Sequence, residues 1–143
     1  MSWLVNAVKR FEGYREEAYQ DSVGVWTIGY GNTRDASGEP IRPGDTITTE
    51  EAEKLLQDEL EEFLDYVIRF SDSNDYGWNK NQIGALTSFV YNLGKSRLKQ
   101  VTGNATRDNE TIAKKMRLYN KAGGRTLKGL VARINEEADH FLS

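Results

Sequence analysis

The chain has no cysteine, a single histidine, two prolines and no apolar run that approaches a membrane span. Each absence removes a class of chemistry. Without cysteine there are no disulfides, no thiolate nucleophile and no cysteine-held metal. His140, near the C-terminus, has no partners for a nitrogen-rich metal site and reads as a helix-end surface residue, so no metal and no cofactor are expected. A helix needs roughly 20 consecutive apolar residues to cross a bilayer, so no stable membrane association is expected either. Residues 1–8 are too short for the apolar core of a secretory signal and run at once into Lys9, Arg10 and Glu12. That predicts synthesis in the cytoplasm without a signal peptide. Repeats and low-complexity tracts are also missing.

What is present fits one compact domain. With 143 residues, 38% of them hydrophobic, the chain can bury one core, with room for two lobes but not two independent domains. Charge is unevenly spread. Residues 1–47 carry 5 basic and 7 acidic side chains, residues 48–76 carry 2 and 10, and residues 77–143 carry 12 and 5. The basic C-terminal part suits either a polyanion or a solvated helical surface. Nucleic acid is not expected as a partner, because the chain is acidic overall and holds no nucleic-acid-binding module.

Apolar residues at helical spacing (Trp3, Leu4, Ala7, Val8, Phe11) predict a first helix that ends at Glu12, with Gly13 as its stop. Glu12 is thereby expected at the end of an apolar face, partly desolvated, where a carboxyl holds its proton more tightly. Asp21-Ser22-Val23-Gly24 has the make-up of a tight turn, and Val25-Trp26-Thr27-Ile28 is rich in strand-forming residues. A small antiparallel sheet over about residues 17–35 follows. Thr48 and Glu51 form a capping box that opens a helix of about 20 residues, with a polar loop at residues 72–77. Asn79 caps a further helix closed by Gly94. Helices are expected over 109–121, stopped by Gly123-Gly124, and over 127–141 after Thr126, while residues 95–107 stay unassigned.

Glu12, Asp21 and Thr27 supply what cleavage of an acetal requires. One carboxyl can donate a proton to the leaving oxygen, a second can act as base or anion, and a hydroxyl can orient a water. Spacing alone leaves alternatives. The chain has 22 acidic residues, and Glu16 and Glu17 compete for the acid's role. Glu12 also suits a helix-end surface charge, Asp21 a turn former and Thr27 a strand residue.

The surrounding letters bear on that choice. Glu12-Gly13, Tyr19-Gln20-Asp21 and the run from Gly24 through Trp26-Thr27-Ile28-Gly29 to Tyr30-Gly31 form one motif. Ile47-Thr48-x-x-Glu51-Ala52-x-x-Leu55-Leu56-x-Asp58 and Gln82-x-x-Ala85-Leu86-x-Ser88-Phe89-x-Tyr91-Asn92-x-Gly94 follow in order. Tyr119-Asn120-Lys121-Ala122-Gly123-Gly124 and Gly129-Leu130-Val131-x-Arg133 complete the set. In these segments the chain resembles the phage-type lysozymes of glycoside hydrolase family 24, over nearly its whole length.

The resemblance implies an α+β, mainly helical, lysozyme-like fold. A small antiparallel β lobe at about residues 13–47 would be joined by a long helix to a helical lobe at about 66–143, which also takes helix 1–12. It implies a single catalytic domain over 1–143 that hydrolyses the β-1,4 bond between N-acetylmuramic acid and N-acetylglucosamine in peptidoglycan, with the glycan between the lobes. Carried over by position, Glu12 is the general acid, Asp21 the opposing carboxylate and Thr27 the water-holding hydroxyl, an arrangement that suits inversion. Tyr91 and Asn92 are carried over as substrate-binding residues, and Tyr30 joins them as an aromatic that can stack on a sugar face. The partner is then the glycan strand and the protein a monomer. A phage endolysin of this kind would be made in the host cytoplasm and reach the wall after membrane permeabilisation.

Some letters depart from the family pattern. Asn32 stands where a histidine commonly follows Gly-x-Gly, which removes one buried ion pair. Tyr119 replaces a tryptophan, and Ala132 and Ile134 flank Arg133 where further arginines are common. Two other readings stand beside the hydrolase. A non-catalytic wall-binding domain would fit the loss of one of Glu12, Asp21 or Thr27, and a lytic transglycosylase would need only one carboxyl. All three residues are present. Trp26, Tyr30, Trp78 and Tyr91 suit either sugar stacking or core packing.

Overall fold

The computed structural model describes residues 2–119, 121–122, 125–126 and 128–143. The chain divides into two compact units, Ser2–Glu61 and Glu62–Ser143. The division groups the first helix with the strands, where the sequence analysis grouped it with the helical residues.

In the N-terminal unit, α1 (Ser2–Glu12) buries Leu4, Ala7 and Val8 of the expected stripe and Val5 besides, while Trp3 and Phe11 are half-buried. It stops at Gly13, whose φ of +72° favours glycine and whose amide donates to the Lys9 carbonyl at 2.9 Å. Strands β1 (Arg15–Gln20) and β2 (Trp26–Gly29) then pair antiparallel, with Tyr19 opposite Thr27 and Gln20 opposite Trp26. The register shifts between Arg15 and Tyr19. The sheet is smaller than the expected span. Positive φ at Gly29 (+65°) and Gly31 (+87°) folds the chain back, so that Ile28 and Asn32 meet in a single bridge instead of a third strand.

α2 (Thr49–Ser73) opens on the expected capping box, the Glu51 amide donating to Thr48 Oγ1 and the Thr48 amide to Glu51 Oε1, each at 3.1 Å. It runs 25 residues, through the start of the predicted loop. Its last turn is held by packing. Phe70 stacks on Trp78 with centroids 6.0 Å apart, and buried Ser71 accepts a hydrogen bond from the Trp78 amide at 3.0 Å. The helix gives Ala52, Leu56 and Leu60 to the buried residues of the first unit and Val67 to the core of the second.

The C-terminal unit packs α3 (Lys80–Leu93), α4 (Ser96–Thr102), α5 (Asn109–Met116) and α6 (Lys128–Leu142) around Leu86, Phe89, Val90, Leu98, Ile112, Met116 and Phe141. Each fully buried aliphatic or aromatic side chain of this kind is worth about 1.5–3 kcal/mol. Asn79 and Gln82 form the expected capping box of α3, and Gly94 closes it with a φ of +101°. Two expectations are corrected. Residues 95–107, left unassigned, contain α4, whose short apolar face (Leu98, Val101) gives too little periodicity to read. The helix expected over 109–121 stops at Met116, where Leu118 is exposed and offers no packing to extend it. Beyond it β3 (Lys121–Ala122) pairs antiparallel with β4 (Arg125–Thr126). The predicted Gly123-Gly124 stop lies outside the described residues. Trp78 is a core residue, stacked on Tyr76 at 4.3 Å and donating through its indole N–H to Asn109 Oδ1 at 3.0 Å.

Candidate active site

The three candidate catalytic residues all belong to the Ser2–Glu61 unit. Glu12 is the last residue of α1, and the structure corrects its surroundings: it is exposed, not desolvated. The apolar stripe that precedes it ends with the helix, so nothing of that face covers the carboxyl. Its Oε2 lies against the backbone of Gly31, where an added Cβ would stand 3.4 Å away. That is ordinary contact distance, so glycine at this position answers to its φ of +87° and not to want of space beside the carboxylate.

Asp21 follows β1 and is half-buried. Its Oδ1 accepts the amides of Val23 and Val25, both at 2.9 Å, and its backbone closes the turn through Gly24, whose φ is +85°. Among the described residues Oδ2 has no hydrogen-bond partner. One carboxylate oxygen thus shapes the loop while the other is open to accept a proton.

Thr27 on β2 is buried, and its Oγ1 donates to the Val25 carbonyl at 2.9 Å. With that proton committed, the hydroxyl oxygen presents its lone pairs as an acceptor. Val25 is the residue that sequence reasoning missed. Its amide holds Asp21 Oδ1, and its carbonyl takes both the Asp21 amide at 2.9 Å and the Thr27 hydroxyl. Asp21 and Thr27 are therefore fixed to each other through the backbone of one residue. Only the Asp-x-x-Gly turn pattern hinted at this, because the work is done by backbone atoms.

Glu16 and Glu17, the competing acids, lie exposed along β1. The Glu16 carbonyl accepts the Ile47 amide at 2.9 Å, and Glu17 forms a bridge with Thr46. Tyr30 is 8% exposed, with its ring 5.4 Å from that of Tyr14 and Lys9 Nζ 5.7 Å from its centroid. Tyr91 and Asn92 lie half-buried near the end of α3 in the other unit, Tyr91 edge-on to Phe63 at 5.3 Å. Asn32 is fully buried and donates through Nδ2 to Glu59 Oε1 at 2.9 Å. A neutral donor thus occupies the place of the family's histidine. Among the described residues no group of three or more His, Cys, Asp or Glu could hold a metal ion.

Residues 9–137 match the family model for phage lysozymes. The chain belongs to the phage lysozyme family. The endolysin of Bacillus phage B103 is 35% identical over 97% of this chain, but the match covers only 52% of that protein. The chain spans about half the length of that relative and of a second Bacillus phage endolysin. Among solved structures, the endolysin from Escherichia coli O157:H7 phage FAHEc1 superposes with a TM-score of 0.85 at 34% identity, covering 98% of this chain and 90% of that one. The muramidase domain of SpmX from Asticaccaulis excentricus gives 0.81 at 30% identity, covering 100% and 97%. For this phage lysozyme family member the expected α+β, mainly helical architecture with a small two-stranded sheet is what the structure has. Among the described residues no helix is long and apolar enough to cross a membrane.

Proposed function

We propose that the chain is a single-domain, monomeric muramidase that hydrolyses the β-1,4 bond between N-acetylmuramic acid and N-acetylglucosamine in peptidoglycan with inversion. We further read it as a phage or prophage endolysin that acts on the host wall. The observation that carries the reading is the joint anchoring of Asp21 and Thr27 on Val25, with one acceptor left open on each. A water between them can donate one hydrogen to Thr27 Oγ1 and the other to Asp21 Oδ2, which aims its own lone pair outward. A threonine hydroxyl is too weak a base to act alone, so Asp21 takes the proton as the C–O bond forms. Glu12 protonates the departing glycosidic oxygen. Solvent, to which Glu12 is exposed, then reprotonates its carboxylate, and Asp21 gives up the proton it took. The relatives' names, endolysin and muramidase domain, support the same reading.

A site that holds a water this way attacks from the face opposite the leaving group, so the new reducing end is the α-anomer. Inverting sites separate their carboxyls by about 6.5–9.5 Å to admit that water. Tyr91, Asn92 and Tyr30 are proposed as sugar contacts. Tyr30, with its ring packed on Tyr14, would contribute an edge or its hydroxyl instead of a stacking face. The test is loss of turbidity of outer-membrane-stripped Gram-negative cells, followed by early-time NMR of the soluble product. The α-anomer first is expected, and the β-anomer first overturns inversion. Thr27→Glu places a carboxylate in the water's position. It should lose hydrolysis and accumulate a covalent glycan adduct visible by mass spectrometry.

A further inference from the structure

The C-terminal unit contains a cavity of about 370 Å³ between the end of α2 and the segment after α4. Its walls include Tyr66, Arg69 and Phe70 on α2, with Lys99 and Asn104 facing them, and no carboxylate lines it. Arg69 and Lys99 are exposed, and among the described residues neither charged group has an ion-pair or hydrogen-bond partner. Asp65 stands one turn before Arg69, a spacing that favours pairing on a helix, yet no pair forms. Lys95, by contrast, is already bound to Glu62 at 2.6 Å while lying 5.5 Å over the Tyr66 ring.

The loop that closes the cavity is strained. Gly103, Asn104 and Ala105 take φ of +59°, +56° and +65° in succession, a backbone that glycine favours, asparagine tolerates and alanine resists. A left-handed alanine survives where the surroundings over-determine it, and such positions cluster at binding sites. Two unpaired cations, a planar aromatic and an amide around a concavity of ligand size make a distinct recognition pattern. A cation fork takes an oxyanion, an aromatic face takes the C–H face of a sugar ring, and the Asn104 amide takes a hydroxyl.

We propose that this cavity binds an anionic saccharide unit, its phosphate or carboxylate held between Arg69 and Lys99 and its ring against Tyr66. The site uses none of Glu12, Asp21 or Thr27. It extends the reading of the chain as a wall-directed enzyme, and its test uses soluble monosaccharides and no turnover. Binding can therefore fail while hydrolysis stands, or the reverse.

The full chain, labelled with ¹⁵N, is titrated with glucose 1-phosphate, glucuronate, glucose and inorganic phosphate while the amides near residues 66–70 and 99–105 are followed. At least one anionic sugar should bind five-fold or more tighter than both glucose and inorganic phosphate, and the tighter of the two names the anionic group. The double variant Arg69→Gln/Lys99→Gln should lose that preference, with amide dispersion confirming its fold. Lys114→Gln, on α5, should bind as the parent does. Glucose binding as tightly as the anionic sugars overturns the proposal. Inorganic phosphate matching them overturns the saccharide part, and an unchanged double variant overturns the site.

Discussion

The two units treat a carboxylate in opposite ways. In the Ser2–Glu61 unit, Glu12 is exposed and Asp21 half-buried, with one oxygen of Asp21 open. In the Glu62–Ser143 unit, Glu137 on α6 is fully buried. It accepts the Ser88 hydroxyl and the Arg133 Nε–H on the same oxygen, the latter at 3.3 Å, while among the described residues its Oε1 has no partner. Burial pushes its pKa up to about 7, against the opposing pull of the Arg133 charge and the Ser88 hydrogen bond. The desolvated carboxyl expected at Glu12 is thus found at Glu137, in a core and away from any catalytic motif. A perturbed carboxyl marks a site only when a reactant can reach it, and Glu137 is closed off.

The comparison breaks most sharply at Glu12. Glu12→Gln should cut wall lysis by about 10²–10⁴-fold, because an amide cannot protonate the glycosidic oxygen. Its melting temperature should stay unchanged, and Glu16→Gln and Glu17→Gln should stay within a few-fold of the parent in the same turbidity assay. Lysis by Glu12→Gln near the parent's rate would remove the residue from the acid's role.

Next comes a pair at Asp21. Asp21→Asn keeps an oxygen for the Val23 and Val25 amides and loses the charge, so lysis should collapse while thermal stability holds. Asp21→Ala loses both amide contacts and should lower stability as well, by about 0.5–1.5 kcal/mol per hydrogen bond, since Val23 and Val25 are exposed and water takes up their amides. Equal melting temperatures for the two variants would show that the loop does not depend on Oδ1.

In the helical unit the effect is on stability. Glu137→Ala leaves Arg133 buried without its carboxylate and should cost about 3–5 kcal/mol by denaturant unfolding. The pH dependence has a definite sign. The folded protein holds the Glu137 proton up to about 7 against an ordinary value of 4.5, so it binds more protons than the unfolded chain between those values. The contribution of this group to stability should therefore be full below 4.5, fall as pH rises through about 7 and be lost above that. Glu137→Gln should flatten this part of the profile, and an unaltered profile would place the proton elsewhere. The smallest effect is at the strained loop, where Ala105→Gly should add about 1 kcal/mol by relieving the left-handed alanine.

How much was legible beforehand follows the same division. Helix starts were readable where a side chain caps its own backbone, as at Thr48–Glu51 and Asn79–Gln82, because the whole interaction lies within four residues. Helix ends were not readable where tertiary contact decides them. Stacking of Phe70 on Trp78 carries α2 past its polar signal, and the exposure of Leu118 goes with an early end to α5. Glu12, Asp21 and Thr27 could be singled out as candidates because the motif keeps them within one short segment. Their environments could not. Whether a helix-end carboxyl is covered depends on what packs above it, and the anchoring of Asp21 and Thr27 uses main-chain atoms that any residue possesses.

That anchoring has a consequence for which sequences can keep the site. The side chain of Val25 is 43% exposed and makes none of the hydrogen bonds that fix Asp21 and Thr27. Position 25 is therefore free to drift across nearly the whole alphabet, as long as its N–H remains. Proline alone removes that donor. The residue that ties Asp21 to Thr27 would then look unconstrained in any comparison of side chains, with a single forbidden letter as the trace of its role.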